Sequence, residues 1–222
     1  MIRENLERIK HILPDSVKLV AVSKTKPEED ILEAYQTGHR FFGENKVQEL
    51  AKKAEQLPDD IEWHMIGHLQ SNKVKYIAPF VSLIHAVDSF KLLKTIDKEA
   101  KKNNRIIPCL LQIHIATEES KFGLSEVECN EMLKSEEYQE LKNVAIHGLM
   151  GMATYTDDLD QIRKEFSYLA SLFARIKSEY FTEKSSFTEL SMGMSNDYLI
   201  AVEEGSTMVR IGSSIFGERN YT

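Results

Sequence analysis

"LVAVSKTKPEED", residues 19–30, runs from four apolar or small residues through a serine into Lys24, stops at Pro27 and turns acidic. An apolar run of strand length, a proline, and then Glu28, Glu29 and Asp30 at the start of a helical segment spell a β-strand feeding an α-helix. The unit recurs. Runs rich in Val, Ile, Leu and Met mark candidate strands over 18–24, 40–45, 62–67, 82–88, 107–115, 144–153, 188–193 and 208–216, with charged, helically spaced segments between most of them. The clearest helix is 158–181, where Ile162, Phe166, Leu169, Leu172, Phe173 and Ile176 form one apolar stripe suited to a sheet. Alternating strand and helix implies parallel pairing. Eight such units in 222 residues, with no linker-like or low-complexity tract, predict an α/β fold: a single (β/α)8 TIM barrel over 1–222 with an extra N-terminal helix. That is the small end of a range of about 200 to more than 400 residues. An open doubly wound sheet is the alternative, although eight repeats is many for one so short.

Composition narrows the function classes. A hydrophobic content of 42% supports a full core, and a net charge of -7 with pI near 5.6 counts against nucleic acid or an anionic membrane as partner. Cys109 and Cys129 lack metal-type spacing and read as reduced thiols, and MIRENLERIKHIL at the N-terminus is a charged helix with no signal-peptide or membrane-span character. A soluble, cytoplasmic protein follows as the expectation. No phosphate-binding G-x-x-x-x-G-K-[ST] loop and no G-x-S-x-G elbow occurs. His64 and His68 stand four apart without the glutamate of H-E-x-x-H, so no metal is expected. His85, His114 and His147 fall in strands and read as core or mouth histidines.

A barrel places its chemistry at the C-terminal ends of the strands, often with a phosphate site after strands seven and eight. Lys24 ends strand one. "LSMGMSND", 190–197, ends strand seven, where Gly193 admits close backbone approach and Ser195 is placed to cap a helix running to about Glu204, an anion site. In "VRIGSSIFG", 209–217, Arg210, Gly212 and Ser214 share one face and Val209, Ile211 and Ile215 the other. With the aliphatic face on the helices, Arg210 points into the barrel mouth. Plainer readings exist: lysines close strands where the chain surfaces, Ser191 and Ser195 suit caps or turns, and Gly212 relieves crowding. An inward guanidinium, however, must find a partner. Together these residues describe a site for a phosphorylated carbonyl compound, with an amine to condense, a cradle for phosphate and a donor for a ring acceptor. "TEESKFG", 117–123, reads as a mouth loop in which Lys121 is a surface lysine or meets an anion.

Seven stretches carry a resemblance: "VAVSKTKP" (20–27), "FGENKVQE" (42–49), "WHMIGHLQSNK" (63–73), "HAVDS" (85–89), "GLMGMAT" (148–154), "LSMGMSNDY" (190–198) and "VRIGSSIFG" (209–217). In this order they resemble the pyridoxal phosphate homeostasis protein family, a single-domain relative of the barrel half of alanine racemase, PLP fold type III. The resemblance implies that Lys24 holds pyridoxal 5'-phosphate (PLP) as an internal aldimine, that Ser191, Gly212 and Ser213 contact the phosphate near Gly193, and that Arg210 faces the pyridine nitrogen. It places Asn45 and Met65 in the ring pocket. An arginine there donates a hydrogen bond and leaves the nitrogen largely unprotonated, which supports carbanion chemistry weakly. Racemases resembling this barrel add a β-rich domain that supplies a catalytic tyrosine, whereas here Glu218–Thr222 alone follow the last strand. The leading expectation is a monomeric PLP carrier without catalytic residues, with apo PLP-dependent enzymes as recipients and an influence on amino-acid and keto-acid balance. The alternatives are a PLP-dependent amino-acid racemase using a mouth-loop acid or base such as Tyr155, and a sugar-phosphate isomerase or aldolase in which Lys24 attacks substrate.

Overall fold

Each apolar run becomes a short strand: β1 Lys18–Val22, β2 Phe41–Glu44, β3 Glu62–Met65, β4 Leu83–Val87, β5 Ile107–Gln112, β6 Val144–Met150, β7 Glu189–Ser191 and β8 Met208–Ile211. The computed structural model describes residues 1–118, 122–183 and 186–218. Every strand pairs in parallel with the next, and β8 pairs with β1, so the sheet closes into a barrel in sequence order. Both faces of such a sheet are buried, which is why the strands read as continuous apolar runs. Residues on the outer face, among them Leu19, Phe42, Trp63, Val209 and Ile211, join the helices in one large core, while Val20, Leu83, Leu110, Met150 and Met208 form a smaller cluster apart from it.

The helix expected over 158–181 spans Leu159–Tyr180, and the Asp158 carboxylate caps it by accepting from Asp160 N and Gln161 N. Its stripe buries Ile162, Phe166, Leu169, Leu172 and Ile176, while Phe173, partly buried, stacks on Phe187. The strand expected over 208–216 is shorter. It ends at Ile211, and Ser213–Phe216 turn into a helix closed by Phe216 N–H to Gly212 O at 2.9 Å. The reason lies in β1, which stops at Val22 and leaves residues beyond 211 without a ladder partner. Ile215 and Phe216 stay buried by the helical route. The N-terminal helix Ile2–Ile12 packs on this short helix, where Asn5 Nδ2 donates to Ile215 O at 3.0 Å, and so covers the last β/α unit. Among the described residues no helix is long and apolar enough to cross a membrane. Both cysteines are buried and unpaired, and burial pushes both thiols well above the ordinary value.

Candidate functional site

The C-terminal ends of the strands open on a cleft of about 540 Å3. Lys24 lies just past β1, Asn45 just past β2, and Arg210, Gly212 and Ser213 on or after β8; all five line the cleft. Lys24 is therefore delivered to the mouth by the end of its own strand. Its neighbours are tightly held. Ser23 Oγ donates to Glu44 Oε1 at 2.6 Å, the Ser23 carbonyl accepts from Lys53 Nζ at 2.8 Å, and Thr25 N–H donates to Glu49 Oε1 at 2.6 Å.

On the side of β1 away from β2, the loops after β7 and β8 meet. Ser195 Oγ accepts from Gly212 N at 3.3 Å, and Asp197 Oδ1 accepts from Met194 N at 2.6 Å. The helix after β7 begins at Tyr198 with Asp197 in the capping position, so Ser195 is a wall of the cleft tied to β8 and not the cap expected from its sequence. Gly193 has φ of 96°, and a Cβ there would come within 2.6 Å of Ala201 Cβ; its role is to let this helix approach the strand, and it does not itself line the cleft. A Cβ on Gly212 would sit 3.2 Å from Val22 O, so the β8 loop also runs close against β1. Ser213 and Ser214 open a helix whose first N–H groups have no intrahelical acceptor.

Arg210 points inward, as its strand alternation predicts, and is 3% exposed. Its guanidinium donates to Ser191 Oγ at 2.6 Å and to Gly151 O at 3.0 Å, both uncharged acceptors. Burial lowers its pKa to about 10, with Asp197 acting in the opposite direction, so it remains a cation at neutral pH. Ser191, expected at the phosphate, is instead fully buried beneath Arg210 and also bonded to His85 Nδ1 at 3.0 Å, while His85 Nε2 meets His64 Nδ1 at 3.0 Å. Because arginine only donates, the Ser191 hydroxyl proton is directed to His85 Nδ1, and His85 Nε2–H to His64. Desolvation drives both imidazoles far below their ordinary pKa, so the chain is neutral.

Met65, expected beside the ring, lies off the cleft. His64 faces the barrel interior, so Met65, one residue on, turns outward and is fully buried in the helix-facing core, and Ile66 lines the cleft instead. Ser214, expected on the Arg210 face, leaves that position to Ser213 because the chain is helical there. His68 pairs with Asp88 at 3.0 Å and stacks on Phe122 at the mouth, and Tyr155 is 86% exposed on the rim. Lys121 lies outside the described residues. Ser195 belongs to the glycine-serine loop after strand seven that the sequence offers as an anion site, and it lines the cleft there without capping the helix. One feature was not among the sequence expectations. The Glu44–Lys53–Glu49 cluster had a signal in an acid ending the apolar run "FFGE" and a Glu49/Lys53 pair four apart.

A lysine, a buried guanidinium with neutral partners and a serine-lined backbone cradle fit a phosphorylated ring aldehyde. Such a barrel site defines a class, and comparison with known proteins is consistent with it. Residues 1–220 match the family model described as "Alanine racemase, N-terminal domain". A pyridoxal phosphate homeostasis protein of Aquifex aeolicus is 44% identical over 206 residues, 92% of this chain and 88% of the relative. PipY of Synechococcus elongatus, solved with PLP bound, superposes with a TM-score of 0.88 at 35% identity, covering 98% of this chain and 100% of that one. Alanine racemase of Bartonella henselae shares the fold at a TM-score of 0.71 and 17% identity, and this chain spans 60% of it. The chain belongs to the alanine racemase N-terminal domain family and, within it, to the pyridoxal phosphate homeostasis proteins.

Proposed function

We propose that this chain binds PLP in the cleft, attached covalently through Lys24, and holds it for apo PLP-dependent enzymes without turning over amino acids itself. The observation that carries the reading is the meeting of Lys24 and Arg210 in one cleft that Gly212, Ser213 and Ser195 also line. PLP supplies an aldehyde that condenses with primary amines. On this reading Lys24 Nζ is the attachment point, the Gly212–Ser213 backbone with Ser195 and Ser213 binds the phosphate, and Asn45 flanks the ring. Arg210 donates to the ring nitrogen and, being a permanent cation, keeps a proton off it, which disfavours removal of an amino-acid Cα proton. Ser191 keeps Arg210 in place. On this reading the protein works as a monomer in the cytoplasm, a reducing compartment that suits its two buried, unpaired thiols.

Tyr155, exposed on the rim, is the observation that favours a second reading, racemisation by a mouth-loop acid or base. One experiment tests both. Protein loaded with PLP is reduced with borohydride and mapped by mass spectrometry, and parallel samples are incubated with L- and D-amino acids and analysed by chiral chromatography. The adduct is expected on Lys24 and absent in Lys24→Ala, which folds normally, and no racemisation is expected above that of free PLP. An adduct on Lys26 or Lys121 overturns the attachment site, and saturable racemisation lost in Lys24→Ala replaces the carrier reading with the enzyme one.

A further inference from the structure

Lys24 sits between two residues whose backbones are clamped by one ionic cluster, buried at Glu44 and Lys53 and partly exposed at Glu49. On one side, the Ser23 hydroxyl donates to Glu44 and its carbonyl accepts from Lys53. On the other, Thr25 has φ of 65°, a left-handed conformation that a β-branched residue rarely adopts, and its N–H is accepted by Glu49 at 2.6 Å. Lys53 Nζ joins the two halves, bonding Glu44 Oε1 at 2.8 Å and Glu49 Oε1 at 2.7 Å. The lysine side chain is 6% exposed and that of Glu44 0%, and Glu44 Oε2 has no hydrogen-bond partner. A buried ion pair is weak evidence of a stabilising role, and this one contacts the backbone on both sides of Lys24.

We propose that Glu49 and Lys53 are positioning residues for covalent attachment: Glu49 holds Thr25 left-handed, and this turn aims Lys24 into the cleft. Lys53 fixes Glu49 and the Ser23 carbonyl, so both flanks of Lys24 move as one unit. Neither residue lines the cleft. The inference rests on Lys24 being the attachment point.

The test measures Lys24 occupancy by borohydride trapping and mass spectrometry, with circular dichroism as the check on folding. Glu49→Ala is expected to lower occupancy about tenfold at limiting PLP, the scale of the penalty for an unsupported left-handed residue. Glu49→Ala/Thr25→Gly is expected to return to the wild-type level, because glycine adopts φ > 0 unaided. Glu49→Gln, which keeps an acceptor for Thr25 N–H, is expected to attach as wild type does. In a Lys24→Ala background, Glu49→Ala is expected to leave noncovalent PLP affinity unchanged. Should Glu49→Ala not fold, Glu49→Asp withdraws the carboxylate by one methylene and is expected to show a smaller loss with the same glycine rescue. Wild-type occupancy in Glu49→Ala, no rescue by Thr25→Gly, or a loss in Glu49→Gln equal to that in Glu49→Ala overturns the inference. So does lost affinity in the Lys24→Ala background, which would place Glu49 in ligand binding itself. A wild-type protein with no adduct on Lys24 overturns the attachment reading and this inference with it, and is told apart from the other failures by that control.

Discussion

The core between strands and helices and the interior of the barrel are both buried, yet they are built by different rules. The first is almost wholly apolar, with Phe166, Leu50, Ile77 and Leu93 packed on outward strand residues. The second mixes an apolar cluster around Val20, Leu110 and Met208 with a hydrogen-bonded chain in which neutral His64, His85 and Ser191 lead to the Arg210 cation. Polar groups enter the outer core beside cleft walls. Glu44 and Lys53 hold Ser23 there, and Glu165, 8% exposed, accepts from both N–H and Oγ of Thr154, a residue of the cleft. The contrast teaches that stability here is supplied by the helix-facing layer, while its buried ionic groups Glu44, Lys53 and Glu165 lie where a cleft residue has to be aimed.

The largest effect should come from the apolar side of this comparison. Phe166→Ala, in a fully buried position, is expected to cost about 3–5 kcal/mol of unfolding free energy while leaving PLP binding intact below the midpoint, checked by urea denaturation and PLP titration. An equal loss of binding would break the division of labour. Ser191→Ala is expected to cost about 1–3 kcal/mol, since Arg210 and His85 each lose a buried partner, and to change the absorbance of bound PLP, which Phe166→Ala should leave unchanged.

The histidine chain gives a pH signature. Folded His64 and His85 are held neutral far below the unfolded value of about 6.5, so above that pH neither state carries their protons and stability is full. Below it the unfolded chain takes up protons that the folded chain refuses, and stability falls by up to about 1.4 kcal/mol per pH unit for each histidine. Thermal midpoints between pH 7 and 5 should show the fall, with a shallower slope in His64→Asn. The smallest effect is expected at the surface, where Arg163 bridges Glu203 and Glu204. Arg163→Ala should leave the thermal midpoint nearly unchanged, since exposed ion pairs contribute little, and a drop as large as that of Ser191→Ala would mean that the surface network contributes as the buried layer does.

Much of this architecture was written in local chemistry. An apolar run into Lys24 and Pro27, repeated as strand and helix, determined the parallel barrel, because strands buried on both faces and helices with one apolar stripe have few other ways to pack. Alternation alone put Arg210 inward, since Val209 and Ile211 have to meet the helices. What depended on contacts distant in sequence was decided by the tertiary structure. β8 ends where β1 ends, which turns Ser213 and not Ser214 to the cleft. Ser191 binds Arg210 because two residues 19 apart in the chain come onto neighbouring strands of the barrel. Met65 turns outward because strand geometry fixes its direction once His64 faces His85. The clamp on Lys24 joins the loop after β1, the end of β2 and the helix that follows it; Glu44 and the Glu49/Lys53 pair are legible locally, but their hold on Ser23 and Thr25 is set by where closure of the barrel brings β1 beside β2.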